Sequence, residues 1–192
     1  MSSLDADFAT LRRRLQEPAS LAASRSDPFY YFVYPPEEAL EVKRRLPLWS
    51  AQLRLDGMHV VRVSFSDLLW ELIDATGRWD LWLEVEADAD REAVNEAIRN
   101  ALREDGALVK RIGALVESQG EGAVVLLTET EMLHPYFRVR VLESALHDRI
   151  TVPTVVFYPG RRSGQFGLHF LDFYPEDGNY RATLIGGLGS VK

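Results

Sequence analysis

Two carboxylates and an imidazole stand close together in the sequence, directly after a continuous apolar run. The run is Ala123–Thr128, and Glu129, Glu131 and His134 follow it. Carboxylate and imidazole groups bind divalent metals and serve as general acids and bases, so these three residues are a candidate metal or acid–base site. The same segment also suits a helix start, with Pro135 fixing the entry to the next helix. No fourth ligand is evident, so we favour the structural interpretation and expect no bound metal.

A second candidate is a short basic stretch near the C-terminus. Gly160 and Gly164 flank Arg161, Arg162 and Ser163, and no other predicted loop combines glycines with adjacent arginines. Backbone amides and guanidinium groups could hold an anion or an acidic partner here. The alternative is a surface hairpin with solvated charges. We favour that alternative because short basic patches are common on exposed loops.

The third candidate is a pair of tryptophans, Trp79 and Trp82, within residues 77–87. This segment has no clear helical or strand pattern. Tryptophan is enriched among the residues that anchor protein–protein interfaces, although it is equally at home in a core. We therefore regard the pair as a possible interface.

The signatures of common enzyme classes are missing from the sequence. It has no cysteine, which excludes thiolate zinc sites and cysteine nucleophiles. No Gly-x-x-x-x-Gly-Lys-Ser/Thr phosphate loop is present, and no Gly-x-Gly-x-x-Gly follows a predicted strand. Ser66 and Ser163 lack the Gly-x-Ser-x-Gly context of a hydrolase nucleophile. We expect a protein without a cofactor or catalytic residues, which acts by binding partners.

Apolar runs that alternate with helical patterns predict the elements that position these residues. Four runs read as buried strands: Phe29–Tyr34, 59–65, Ala123–Thr128 and 152–158. Such alternation predicts an α/β fold with a mainly parallel sheet flanked by helices in three layers. The fold would be Rossmann-like, or like an ATPase core without the phosphate loop. Two short strands, 168–173 and 180–185, follow without an intervening helix, so we expect an antiparallel pair at the C-terminal edge.

Local signals predict where the helices begin and break. Ser66 and Asp67 suit the start of a helix that runs to residue 75. Pro47 is expected to kink or split the helix that contains it. A further helix is predicted over 135–146, and Asp105 and Gly106 are expected to break a long pattern that begins at residue 90.

We expect one domain over residues 1–192, since no long linker interrupts the pattern. Residues 1–27 form an N-terminal helix and a polar break, 28–186 form the sheet core and 187–192 form a tail. No stretch approaches the ~18 consecutive apolar residues of a membrane span, and the start of the chain lacks the pattern of a signal peptide. These features favour a cytoplasmic location.

The charge balance disfavours nucleic acid as a partner of the isolated protein. The formal net charge is −7 and the isoelectric point is about 5.2, so phosphate polyanions are repelled on average. We expect only weak, non-specific DNA binding, with a dissociation constant of roughly 10⁻⁴ M or poorer at physiological salt.

Several ordered motifs resemble the BrxB family. They are His134-Pro135-Tyr136-Phe137-Arg138-Val139, then Val152-Pro153-Thr154-Val155-Val156-Phe157-Tyr158-Pro159-Gly160, then Asn179-Tyr180-Arg181-Ala182. Near the start, Phe32-Val33-Tyr34-Pro35-Pro36-Glu37-Glu38 resembles the family's opening strand and acidic helix start. The resemblance runs from residue 29 to residue 185, and the Val-Pro-x-Val-x-Phe-Tyr-Pro-Gly stretch is its most specific part.

This resemblance implies a component of bacteriophage exclusion (BREX), a multi-gene antiviral defence system. The neighbouring components of such systems include a PglZ-like protein of phosphatase fold, a large ATPase and a DNA adenine methyltransferase. The family offers no catalytic residues to carry across, and the implied role is a non-catalytic adaptor that contacts other subunits, most plausibly the PglZ-like one. A degenerate nucleotide-binding domain and a divergent metal-dependent enzyme using Glu129, Glu131 and His134 stay open as alternatives.

Overall fold

A computed structural model describes residues 3–17, 28–85, 88–146, 149–164, 167–178, 180 and 182–187. Within this part of the chain, six strands form one sheet: β1 (Phe29–Tyr34), β2 (His59–Ser64), β3 (Ala123–Thr128), β4 (Thr154–Ser163), β5 (Gly167–Phe170) and β6 (Thr183–Gly186). The α-helices of the same part are α1 (Ser3–Leu15), α2 (Ala39–Leu55), α3 (Phe65–Ala75), α4 (Trp79–Val85), α5 (Arg91–Arg103), α6 (Ala107–Glu117) and α7 (Val139–Leu146). Short 3₁₀ turns at Pro36–Glu38, Glu104–Gly106 and Thr130–Leu133 lie between them.

The sheet confirms the predicted fold class. Its strands lie in the order β2-β3-β4-β1-β6, and each neighbouring pair is parallel. Strand β3 is buried along its whole length, as its unbroken apolar sequence predicts for a strand covered on both faces. The four runs read from the sequence are β1 to β4, with β4 starting two residues later and ending five residues later than the predicted 152–158.

The position of β1 distinguishes the sheet from a dinucleotide-binding fold. In that fold the first two strands are neighbours, whereas here β1 lies between β4 and β6, and β2 is at the far edge. Fold alone does not establish function.

The pairing predicted for the last two strands is wrong. β5 pairs antiparallel with the end of β4, with Gly160 opposite Phe170, whereas β6 pairs parallel with β1, with Tyr30 opposite Thr183. The prediction assumed that a connection without a helix must be a hairpin. The connecting residues 171–182 are, however, as numerous as the dozen or so that a crossover needs.

Helix boundaries follow local chemistry, with several corrections. The Oγ of Ser64, rather than Ser66, accepts the hydrogen bond from the Asp67 backbone N–H at the start of α3. Helix α2 continues through Pro47, and α7 begins at Val139, after a turn that includes Pro135. The unpatterned segment around Trp79 is the helix α4.

The predicted break after residue 103 is confirmed. Asp105 and Gly106 both have a left-handed backbone, with φ of 51° and 70°, and they separate α5 from α6. The glycine adopts this conformation at little cost, since it has no Cβ.

Side chains that alternate along the strands form two apolar cores, one on each face of the sheet. Phe32 and Phe157 pack with α1 and α2, where Phe8 stacks on the buried Trp49 at 4.7 Å between ring centroids. Tyr31 points to the other face, which α3, α5, α6 and α7 cover. Helices thus flank both faces of the sheet, in the predicted three layers.

Candidate functional site

The carboxyl edge of the sheet brings Glu129 and Glu131 together around one lysine. Lys43 of α2 places its Nζ 3.1 Å from Glu129 Oε1 and 3.0 Å from Glu131 Oε1. The Ser64 hydroxyl donates a hydrogen bond to Glu129 Oε2. That hydrogen bond and the Lys43 ammonium lower the pKa of Glu129. Tyr34 lies nearby, and its burial and the two carboxylates raise its pKa.

The backbone at this edge is constrained. Glu129 has a left-handed φ of 62°, which is uncommon outside glycine and is typical of residues held in place by their surroundings. The Oε2 of Glu131 is buried and has no hydrogen-bond partner within the described residues. Both carboxylates share the Lys43 ammonium, so two negative charges and one positive charge leave the cluster with a net charge of −1.

His134 does not complete a metal site with the two glutamates. Its Nδ1 shares a hydrogen bond with the Tyr174 hydroxyl, and its ring lies edge-on to Phe173 and Tyr174. Across the described residues, no group of three histidine, cysteine or acidic side chains is arranged to hold a metal ion. The three residues that the sequence groups together therefore separate into an ion-paired cluster and an aromatic contact.

The basic stretch is a paired hairpin rather than an open loop. Gly160, Arg161, Arg162 and Ser163 are the last residues of β4, and Gly164 forms the turn with a φ of 58°. A Cβ on Gly160 would lie 2.1 Å from the backbone oxygen of His169 on β5, so the close pairing of the two strands requires glycine there.

The two arginines of the hairpin have different surroundings. Arg161 donates from Nε to Asp172 at 2.6 Å and from a terminal nitrogen to Glu37 at 2.8 Å. An anion at Arg161 would have to displace a carboxylate. The Arg162 Nε is buried and lacks a hydrogen-bond partner within the described part of the chain, and Ser163 donates to Glu176 at 3.0 Å.

The two tryptophans of the third candidate line an apolar groove of about 280 Å³. Helices α3, α4 and α5 form the groove, and its walls include Trp70, Ile73, Trp79, Trp82, Leu83 and Val94. We call this surface the tryptophan groove. Trp70 and Trp79 meet edge to face at 5.6 Å between centroids, yet 51% and 41% of their respective surfaces are exposed.

Helix α4 is the most exposed part of the tryptophan groove. None of its residues is buried, although Leu81, Leu83 and Val85 are large and apolar. Scattered exposed apolar residues are ordinary, whereas contiguous exposed apolar patches are typical of interaction surfaces. The sequence prediction included Trp79 and Trp82 and missed Trp70. Trp70 could have been found, because it stands outside the apolar stripe of Leu69 and Ile73 that α3 buries.

Acidic side chains surround the tryptophan groove. The helices and loops that form it carry exposed carboxylates for which the described residues provide no ion pair, at Asp74, Asp80, Glu84, Asp88 and Asp90. Exposed cations in the same segments for which the described residues provide no ion pair, Arg78, Arg91 and Arg103, are fewer. The rim therefore has a net negative charge.

The fold defines the chain as an α/β protein with an exposed apolar groove. A family model described as BREX protein BrxB matches residues 61–185. The match covers most of the chain, so the chain belongs to the BrxB family and is a component of a BREX defence system. The match begins after the resembling segment 32–38. No curated protein and no solved structure gives a significant match.

Among the helices that the structure describes, none combines the length and apolar character required to cross a membrane.

Proposed function

We propose that this protein is a non-catalytic assembly subunit of its BREX system and that the tryptophan groove binds the PglZ-like subunit. The observation that supports the proposal most directly is the exposure of apolar residues on α4 beside Trp70 and Trp79. Leaving such surface in water is unfavourable by roughly 25 cal/mol per Å². A partner that covers it recovers this free energy. The proposal places the chain in the cytoplasm, with its remaining partners.

The groove specifies the chemistry of the partner segment. A stable complex buries roughly 1,200–2,000 Å² in total, so the groove would form the centre of a larger contact. Its walls suit an apolar anchor, and the acidic rim, including Asp80 and Glu84, suits lysine or arginine at the flanks of that anchor. We therefore expect a segment of the PglZ-like subunit with an apolar face and basic flanking residues.

A degenerate nucleotide-binding domain is the second candidate, because the parallel sheet is flanked by helices on both faces. The position that a phosphate loop would occupy, directly after β1, holds Pro35, Pro36, Glu37 and Glu38. Proline offers no N–H to a phosphate, and carboxylates repel it. This position therefore lacks backbone N–H groups at its two prolines and carries no positive charge, whereas a phosphate loop binds phosphate with both. The assembly role is the better supported one.

The groove proposal is tested by co-purification of the subunits from cells that express the whole system. The variant Trp79→Ala/Leu83→Ala removes two exposed side chains and leaves the buried core intact. A matched control is Leu40→Ala/Leu55→Ala, which removes exposed apolar side chains of α2 on the other face of the sheet. We expect the groove variant to lower the affinity for the PglZ-like subunit at least tenfold, since interface anchors contribute about 2 kcal/mol or more each. Equal recovery of that subunit with both variants would contradict the proposal.

The enzyme alternative is tested separately by Glu129→Gln, Glu131→Gln and His134→Ala combined. The assembly role predicts that a folded triple variant still binds its partners and still restricts phage. Loss of restriction by a triple variant that assembles normally would favour the metal-dependent enzyme instead. Circular dichroism and size-exclusion chromatography establish whether the variant is folded and assembled.

A further inference from the structure

A second cavity, separate from the tryptophan groove, lies between the hairpin, the turn before α7 and the C-terminal segment. Its volume is about 240 Å³. Six of its twelve lining residues are aromatic: Tyr136, Phe137, Tyr158, Phe170, Tyr174 and Tyr180. We call it the tyrosine cavity. It lies beside β4, towards the carboxyl ends of the parallel strands, where α/β sheets usually bind their ligands.

The rings of the tyrosine cavity are packed against one another, and those of Tyr136, Phe137, Phe170 and Tyr174 remain partly exposed. Phe170 lies 5.2 Å from Tyr158 and 5.7 Å from Tyr174 between centroids. Tyr158 and Tyr180 are buried, and their rings lie edge to face with 6.4 Å between centroids. Because burial raises the pKa of both tyrosines, both hydroxyls stay protonated at neutral pH and can take part in hydrogen bonds.

The side chains without an ion pair at the tyrosine cavity are positively charged. Arg103 and Arg138 both line it and are exposed, and neither has an ion pair with the described residues. The guanidinium carbon of Arg138 lies 5.2 Å from the centre of the Tyr174 ring. Asp177 also lines the cavity, but Arg140 donates to its Oδ1 at 3.0 Å and balances its charge. Two available arginines at one aromatic cavity contrast with the net charge of −7 of the chain.

We infer that the tyrosine cavity binds a single nucleotide unit, with its base against the aromatic wall and its phosphate at Arg103 and Arg138. Flat rings favour stacking with a base, and guanidinium groups favour a phosphate. A purely apolar ligand would leave the arginines unused, and inorganic phosphate would leave the rings unused. The cavity is smaller than the roughly 300–1,000 Å³ of typical ligand pockets, so it accommodates one base and not a dinucleotide.

This site lies apart from the proline-blocked position after β1, and it does not depend on the tryptophan groove. The nucleotide unit has two sources with the same chemistry: a free mononucleotide, or an unpaired nucleotide within a single strand. A protein that binds one unpaired nucleotide of a single strand still binds duplex DNA weakly, because the bases of a duplex are stacked and inaccessible.

Saturation-transfer NMR and isothermal titration calorimetry on the full chain test the inference. The probes are AMP, CMP, adenosine and a five-nucleotide single strand. We expect base protons to receive saturation, AMP to bind with a dissociation constant on the order of 10⁻⁴ M at low salt, and adenosine to bind about tenfold more weakly. A single strand that binds more tightly than AMP identifies strand ends or unpaired positions as the source, and tighter binding of AMP identifies the free nucleotide.

Matched charge variants decide whether the binding is local. Arg103→Gln/Arg138→Gln removes the two cavity cations, and Arg44→Gln/Arg78→Gln removes two exposed arginines elsewhere. We expect at least a tenfold loss of AMP affinity in the first variant and less than a twofold change in the second. Failure of every probe to bind the folded wild-type chain, or equal losses in the two variants, would overturn the inference.

Discussion

Replacing Lys43 by methionine removes the one cation that the two glutamates at the sheet edge share. Methionine is unbranched like lysine and one heavy atom shorter, and it carries no charge. Its Nζ lies 3.1 Å and 3.0 Å from the two carboxylates, and the exposed fractions of the side chains are 40% for Lys43, 29% for Glu129 and 22% for Glu131. The variant leaves two neighbouring negative charges, of which Glu131 has an oxygen that is buried without a partner within the described residues.

The expected cost lies between the limits for exposed and buried ion pairs. At ~3 Å each attraction is about 1.4 kcal/mol in water and about four times larger at an effective dielectric constant of 20. Desolvation of the lysine and repulsion between the glutamates offset part of it, and exposed pairs contribute only about 0.2–1 kcal/mol. We therefore expect Lys43→Met to lower the free energy of unfolding by about 1–2 kcal/mol at pH 7.

The stability loss caused by Lys43→Met should depend on pH in a defined direction. The pKa of Glu129 is lowered in the folded state, by Ser64 and by Lys43, so its contribution to stability is present above its unfolded pKa of about 4.3 and is lost as the pH falls through the folded value. The loss caused by Lys43→Met should therefore shrink towards pH 3. Urea unfolding at pH 7 and near pH 3 measures it, with the exposed Lys110→Met as control. An undiminished loss near pH 3, or no loss at pH 7, would refute the reasoning.

Three further variants test the packing around the sheet. Trp49→Ala empties a fully buried site against Phe8 and should cost about 3–5 kcal/mol in urea unfolding; a loss under about 1 kcal/mol would show that the site is not packed as described. Gly160→Ala places a Cβ against β5 and should cost about 1–3 kcal/mol, with faster hydrogen exchange in 167–170; unchanged exchange would count against the hairpin. Ser64→Ala removes the cap of α3 and the hydrogen bond to Glu129 and should lower stability by about 1–3 kcal/mol, measured by thermal unfolding, whereas Ser66→Ala should be nearly neutral.

The central sheet could be predicted from the sequence because continuous apolar runs are a local signal. Strands β1 and β3 required no knowledge of their neighbours, since only burial on both faces explains such sequences. The partner of β6 could not be predicted in the same way. Its pairing with β1 joins segments about 150 residues apart, and nothing in residues 183–186 specifies which edge they occupy.

The candidate surfaces were predicted only where their residues are neighbours in the chain. Trp79 and Trp82 lie within one short helix, but Trp70 and Val94, which complete the groove, come from other helices. The pairing of Lys43 with Glu129 could not be predicted for the same reason, because Lys43 belongs to the helix after β1 and Glu129 follows β3. The tyrosine cavity combines α5, the turn before α7 and the C-terminal segment, so its composition emerges only from the fold.

Native mass spectrometry of this chain expressed with its neighbouring BREX subunits tests the proposed assembly role most directly. The account predicts a complex that contains this chain and the PglZ-like subunit. It also predicts that Trp79→Ala/Leu83→Ala depletes this complex, whereas Leu40→Ala/Leu55→Ala does not. Recovery of the folded wild-type chain alone, or only in complexes that lack the PglZ-like subunit, would contradict the account.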